Sequence, residues 1–400
     1  MNINFQFRSR ACFFFLAIVS AGLLWSQEKA MPDFGKGLRY QSPDTTFSTK
    51  FNFRMQNLLD IKFNEADNSS SSQFLVRRAR IKFDGFAFTK NLKYKVELGL
   101  SNRDMSTNSE DGNTRGASRL ILDAVVQWQF SKHWTLWAGQ TKLPGNRERV
   151  ISSGDLQFVD RSLLNSRYTL DRDAGLQLRG KYKIGQMILA PALAVSQGEG
   201  RNITSINFGG YDYTAHLEWM PLGAFTNKKG AFISSDLGRE PKPKLSLGLT
   251  FDYNDRAVRQ GGQLGRFVKD SEGIYVQNSL QTFFMDLMFK YRGFSVLSEY
   301  ANKQVDEGGD NIASSFRSGT GFNLQMGYLL VSNWELALRY TTVARDTELS
   351  GIKDENQYTL GVSRYIVGHK LKVQSDLTRI TYPNSPDGAF QFRMQVEMQF

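Results

Sequence analysis

From residue 47 to its last residue the chain is written at period two: apolar side chains alternate with polar ones in short runs, and polar or glycine-bearing stretches separate the runs. The final eleven residues carry the pattern most fully. Phe390, Phe392, Met394, Val396, Met398 and Phe400 fall on one face of an extended strand, and Gln391, Arg393, Gln395, Glu397 and Gln399 fall on the other, because successive side chains of a strand point to opposite sides. On the edge of a soluble sheet, so regular an apolar face invites aggregation. A barrel wall in lipid requires it: apolar outward, polar toward a wet lumen, and closed so that no edge remains. One such strand taken alone also fits the end of a soluble β-sandwich or β-solenoid, so the rest of the chain has to decide.

The alternation recurs over residues 47–55, 75–86, 92–100, 120–130, 134–138, 176–182, 187–195, 211–219, 245–253, 283–291, 294–300, 322–328, 334–340, 358–362, 371–377 and 390–400. These segments predict an all-β fold, a transmembrane antiparallel β-barrel of about sixteen strands, an even number as in single-chain bacterial barrels. Tight turns alternate with long hydrophilic loops such as 64–73, 101–118, 141–173 and 254–281, the asymmetry expected of short periplasmic turns and long external loops. The connection 220–244 breaks the rule, being long where a turn is due, and the pattern offers no account of it. Trp128, Phe130, Trp134, Trp219, Tyr291, Trp334 and Tyr340 cluster at strand ends, where an interfacial aromatic belt belongs.

Composition narrows the alternatives. Of 400 residues 40% are hydrophobic and the mean hydropathy is −0.40; beyond the N-terminus no run reaches the roughly 18 apolar residues of a helical span. Arg8 and Arg10 precede an apolar run over residues 11–24 and a small residue, Ser26. The segment 1–26 therefore reads as a secretory signal peptide, 27–46 as a periplasmic lead-in, and 47–400 as the barrel domain. The single cysteine, Cys12, lies within that signal, so the exported chain has neither a disulfide framework nor a thiolate metal site. The net charge of +11 fits nucleic acid, an acidic membrane surface or small anions, and export argues against nucleic acid.

The candidate chemistry is basic. On the predicted inward face Lys50, Arg54, Arg78, Arg80, Lys82, Lys93 and Lys95 project from three consecutive strands, accompanied by Asp84 and Glu97. With strands about 4.8 Å apart they form a continuous wall of the kind that selects anions in a pore. The competing reading is that lumen charges keep the pore wet and pair with acids opposite, namely Asp212, Glu218, Asp252, Asp286, Glu299 and Glu335. If β-closure brings the last strand beside residues 47–55, Arg393 joins Lys50 and Arg54. The 141–173 loop adds Lys142, Arg147, Arg149, Arg161, Arg167 and Arg172. Its apolar Leu156, Phe158, Val159, Leu163 and Leu164 suit a loop folded into the barrel, where its arginines set a constriction and bind phosphate oxygens bidentately; an external loop making subunit contacts is the alternative. His133 and His369 fall in turns, and His216 faces inward without a local nucleophile or acid spacing. Gly261-Gly262-x-x-Gly265 lacks a following helix signal. Nothing calls for a metal or another cofactor.

Gly35-Lys36-Gly37, Arg77-Arg78-Ala79-Arg80, Gly139-Gln140-x-Lys142-x-Pro144, Asp160-Arg161-Ser162-Leu163, Arg172-Asp173-x-Gly175 and the terminal strand together resemble the phosphate-selective porin O/P family of outer-membrane channels, particularly its Bacteroidetes-type members. The resemblance spans nearly the whole exported chain and rests on the order and spacing of these stretches. It implies a homotrimer of sixteen-stranded barrels in outer-membrane lipid, with inward-folded loops and arginine and lysine ladders that guide phosphate or polyphosphate. Those ladder roles carry over to Arg78, Arg80, Lys142 and Arg161. Family members commonly have aromatics around the Lys-x-Pro motif, where this chain has Thr141 and Gly145. A general porin of low selectivity and a barrel hydrolase using His216 are the alternatives.

Overall fold

The computed structural model describes residues 34–105, 119–204, 206–227, 229–306, 315–346, 354–383 and 385–400; the expected signal peptide lies outside them. Strands run through all seven stretches. They are β1 (Leu38–Gln41), β2 (Phe47–Asn64), β3 (Ser69–Ala87), β4 (Thr89–Gly99), β5 (Ile121–Trp128), β6 (Trp134–Lys142), β7 (Arg172–Gly180), β8 (Tyr182–Ile184) and β9 (Met187–Ser196). Then follow β10 (Asp212–Met220), β11 (Lys244–Ala257), β12 (Asn278–Tyr291), β13 (Phe294–Val305), β14 (Gly319–Leu329), β15 (Trp334–Arg345), β16 (Glu355–Val367), β17 (Leu371–Tyr382) and β18 (Ser385–Gln399). Each pairs antiparallel with its neighbour, and β18 returns to β2 from Ala389↔Asn64 to Gln399↔Arg54, closing the sheet. β7 and β8 both pair with β9 and form one wall strand interrupted at Lys181. β1 pairs with β2 beyond the end of β18, Leu38 opposite Phe51. The wall thus has sixteen strands, and β1 and the end of β18 share one lane of it beside β2.

The predicted strands are all present, and the differences lie in their lengths. The serine-rich stretch expected as a loop at 64–73 is instead the top of a hairpin, with β2 and β3 paired up to Asn64↔Ser69. Part of the lead-in is β1. Because β2 extends so far, Arg393 lies opposite Asp60, and its guanidinium pairs with Asp376 at 2.7 Å. It does not join Lys50 and Arg54; Gln399 is the residue beside Arg54.

Alternation sets the faces. Along β12, Phe283 and Met285 are exposed outward while Phe284, Asp286, Met288 and Lys290 are buried inward. Trp128, Trp219, Tyr328 and Trp334 are exposed and Trp134 is half-buried near the short-turn end, the periplasmic end in barrels of this kind, and they form the lower aromatic belt.

Two connections enter the lumen. The β6–β7 loop, residues 143–171, holds the short helices α2 (Arg147–Val150) and α3 (Leu163–Arg167). Its Leu143, Leu163, Leu164, Tyr168 and Leu170 pack with the inward Ala194, Phe284, Ala301 and Val343. Each such side chain fully removed from water stabilises the inserted loop by about 1.5–3 kcal/mol. The β10–β11 connection, residues 221–243, enters from the opposite end. Its Phe225 and Ala231 share a second apolar cluster with Ile151, Leu156, Ile188, Met288 and Leu297. The two insertions therefore brace each other as well as the wall.

Candidate functional site

The inserted loop lies against the wall from β10 to β17 and covers its acids. Arg147 donates to Asp286 at 2.6 Å, to Glu218 at 3.1 Å and to the Ala231 carbonyl at 2.9 Å. The Glu148 amide donates to Glu299 at 2.5 Å, the Gln157 amide group to Glu335 at 2.7 Å and the Val159 amide to Asp376 at 3.1 Å. Further up the wall Asp252 accepts from Thr214 at 2.9 Å, and Asp212 accepts from Gln263. Asp212, Glu218, Asp252, Asp286, Glu299 and Glu335 are all buried. The acids that could have neutralised the lumen are thus spent on holding the loop and on contacts within the wall.

What stays open lies along β2 to β7. A cavity of about 370 Å³ on the external side is lined by eleven cationic side chains, among them Arg77, Arg78, Arg80, Arg103 and Arg201, against Asp104, Asp160 and Asp171. A second of about 280 Å³ toward the short-turn end is lined by nine, among them Arg54, Lys82, Lys95, Arg179 and Lys370, against Glu97 and Asp155. Arg80, Lys142 and Arg172 line both, so they stand where one cavity passes into the other.

Local structure aims these groups. β2 and β3 place Arg54 directly opposite Arg80, Gln56 opposite Arg78 and Asn52 opposite Lys82. Between Gln56 and Asn57 the register slips, so that Arg77 is the extra residue of a β-bulge. A bulge re-aims a side chain, and here it turns Arg77 inward beside Arg78. Strict alternation would have put Arg77 in lipid, and no local sequence signal marks the slip. Both guanidiniums hold Asp160, Arg78 at 3.0 Å. Burial pushes the Asp160 carboxyl up, but Arg78 and then Arg77 outweigh it and keep it well below the ordinary carboxylate range.

Arg80 is forked by Asp104 at 2.8 and 2.9 Å and reaches Glu97 at 3.2 Å. Asp104 sits in a one-turn helix, α1 (Asn102–Met105); burial opposes its charge, and the Arg80 hydrogen bonds and charge bring its carboxyl down to about 2. Lys95 and Arg172 share Asp123, at 2.8 and 3.2 Å. Arg54 donates to Ser153 at 2.8 Å, and Lys82 pairs with Asp84 at 2.9 Å.

In the loop, Lys142 donates to the carbonyls of Arg149, Val150 and Ile151 at 2.7, 3.0 and 3.2 Å, capping the end of α2. Arg161 donates to the carbonyls of Glu148 at 2.8 Å and Ile151 at 2.7 Å. Arg149 is held by Asp171. Burial and next the Arg149 charge pull Arg161 down to about 9, which leaves it charged at neutral pH in strongly positive surroundings.

Four expected residues stand elsewhere, outside both central cavities. Arg147 is fully buried and faces the acid wall, where it pairs with the two carboxylates of Glu218 and Asp286. Arg167 lines a separate outer cavity of about 570 Å³ near Glu355. Lys93 is exposed low on β4 and lines neither central cavity. Lys50 lies opposite Asp84 near the short-turn end. The inward His216 contacts the Thr250 hydroxyl at 2.8 Å. Arg103, Arg119, Arg201 and Arg259, which line the outer cavity, lie outside the predicted ladder; long-range folding of their loops places them there.

A sixteen-stranded closed barrel, girdled with aromatics and narrowed by an inserted loop, is an outer-membrane porin channel. Comparison with known proteins specifies the family: residues 49–389 match phosphate-selective porin O and P, and the chain belongs to that family. An uncharacterized protein of Aquifex aeolicus (strain VF5) is 24% identical over 379 residues, covering 85% of this chain and 83% of that one. Among solved structures, an anion-selective porin from Comamonas acidovorans has a TM-score of 0.54 at 11% identity, covering 88% of this chain and 100% of the other. The outer membrane channel DcaP of Acinetobacter baumannii has 0.54 at 12%, covering 90% and 99%. OmpT of Vibrio cholerae in its trimer form has 0.50 at 12%, covering 88% and 99%. At these identities the structures share the fold with this chain.

Proposed function

We propose that the protein is a passive, water-filled channel that favours anions, with phosphate and polyphosphate as its cargo. The observation that carries this reading is the division of the lumen: the inserted loop, the neighbouring connections and the wall itself take up the buried acids of β10 to β17, and the remaining path runs along cations that outnumber carboxylates in both central cavities. Guanidiniums in pairs, such as Arg77 with Arg78, match the oxygens of a phosphate, and residual hydration in a pore keeps binding weak enough for release. The family's description and the anion selectivity in the name of the Comamonas porin support the same direction. By the same analogy the channel works as a homotrimer in outer-membrane lipid after loss of residues 1–26. Neither catalysis nor a cofactor has a part in this reading.

A second reading, a porin of weak selectivity, is favoured by one observation: Arg78, Arg80, Lys95, Arg149 and Arg172 each touch a carboxylate. Chloride current titrated with phosphate separates the two. Phosphate block is expected of the first; an unaffected chloride current would leave the second.

A further inference from the structure

The long connection 221–243 has no place in a barrel with short periplasmic turns, yet the structure gives it a fixed position. From between β10 and β11 it crosses to inward groups of strands up to five places away around the wall. Ser235 donates to Glu335 on β15 at 2.8 Å and lies 2.5 Å from the Tyr365 hydroxyl on β16. Lys290 on β12 donates to the carbonyls of Gly230 and Ser235, both at 2.8 Å. A segment touching inward side chains of β12, β15 and β16 must run across the lumen.

Two turns, β12–β13 and β14–β15, hold it from below. Asp236 accepts from Gly293 at 2.7 Å, the Glu240 carbonyl accepts from Arg292 at 2.9 Å, and Arg239 reaches the Leu330 carbonyl. From above, the Ser234 amide donates to the Asp155 carbonyl of the inserted loop at 3.0 Å. Ser234, Ser235, Asp236 and Glu240 are all buried. Lys229 is exposed and, among the described residues of the segment, is the one that lines the inner cavity, with Lys370, Lys82 and Arg54.

We propose that residues 221–227 and 229–243 are a fixed floor and exit filter: the segment closes the acidic side of the lumen at the short-turn end and directs permeating anions out past Lys229 and Lys370. The proposal rests on the anion-channel reading for its charge part and on geometry alone for its partition part. Two variants of the full chain, reconstituted in planar bilayers, separate these. Replacing residues 224–241 by a two-residue turn reopens the floor and raises single-channel conductance about twofold or more, since hindered passage at a constriction limits flow. Lys229→Glu leaves the fold in place, lowers the anion-to-cation permeability ratio, and changes rectification because the altered charge lies at one mouth only.

Parent-like reversal potential and rectification in Lys229→Glu would overturn the exit filter, and parent-like conductance in a folded shortened variant would overturn the floor. If the shortened variant does not assemble, the thiol accessibility of Ser235→Cys, in an exported chain otherwise without cysteine, replaces it. Protection from a channel-permeant thiol reagent supports the floor, and rapid labelling overturns it. A parent channel without anion preference would contradict the broader function while the conductance and labelling outcomes still judge the partition.

Discussion

At the scale of single residues, composition did not separate cations with different work. Arg147 and Arg149 lie two positions apart on one short helix, yet the first is buried against Asp286 and Glu218 while the second lines the outer cavity. Their difference is decided by which wall the loop meets, a contact more than a hundred residues away for Asp286. Removing one member of a buried, hydrogen-bonded ion network leaves an uncompensated charge and costs about 3–5 kcal/mol. Arg147→Ala should therefore lower the thermal midpoint of unfolding, followed by the heat-induced mobility shift of the barrel. Arg149→Ala should leave that midpoint close to the parent's, and equal losses in both would contradict the assignment. Arg77 makes a related point: a one-residue bulge, invisible to strict period two, brings it into the pore. Arg77→Ala is expected to weaken phosphate block of chloride current, with no change if the side chain faced lipid.

At the scale of elements, alternation located every wall strand because lipid outside and water inside impose opposite demands on adjacent side chains. Lengths were less legible where lipid no longer imposes the rule: the Ser69–Ser72 portion of β3 has no apolar partner pattern and still pairs with β2. A signal for the inserted loop was nevertheless present. Phe284, Met288, Leu297 and Val343 face inward where a wet lumen calls for polar groups, and they are the residues against which the insertions pack. Leu164 is fully buried among them. Leu164→Ala should destabilise the loop's seat by about 2–5 kcal/mol, read as added open-channel noise with the barrel still folded. A quiet, parent-like channel would place the loop's anchorage elsewhere.

At the scale of the whole molecule, the chain's charge is divided by position more than by amount. Acids on β10 to β17 hold the inserted loop or pair within the wall and its other connections, while cations on β2 to β7 and on the loop line the path. Sequence alone supplied both sets of residues and left open whether they cancel across the lumen; only the loop's seat decides. Double substitution Arg78→Ala with Arg80→Ala is expected to reduce, without reversing, the proposed anion preference, because Arg77, Lys142 and Arg172 stay in place. The zero-current potential of the parent channel across a potassium chloride gradient tests the division most directly. The account predicts the sign of a chloride-permeable pore; a potential near zero, or of the opposite sign, would contradict it.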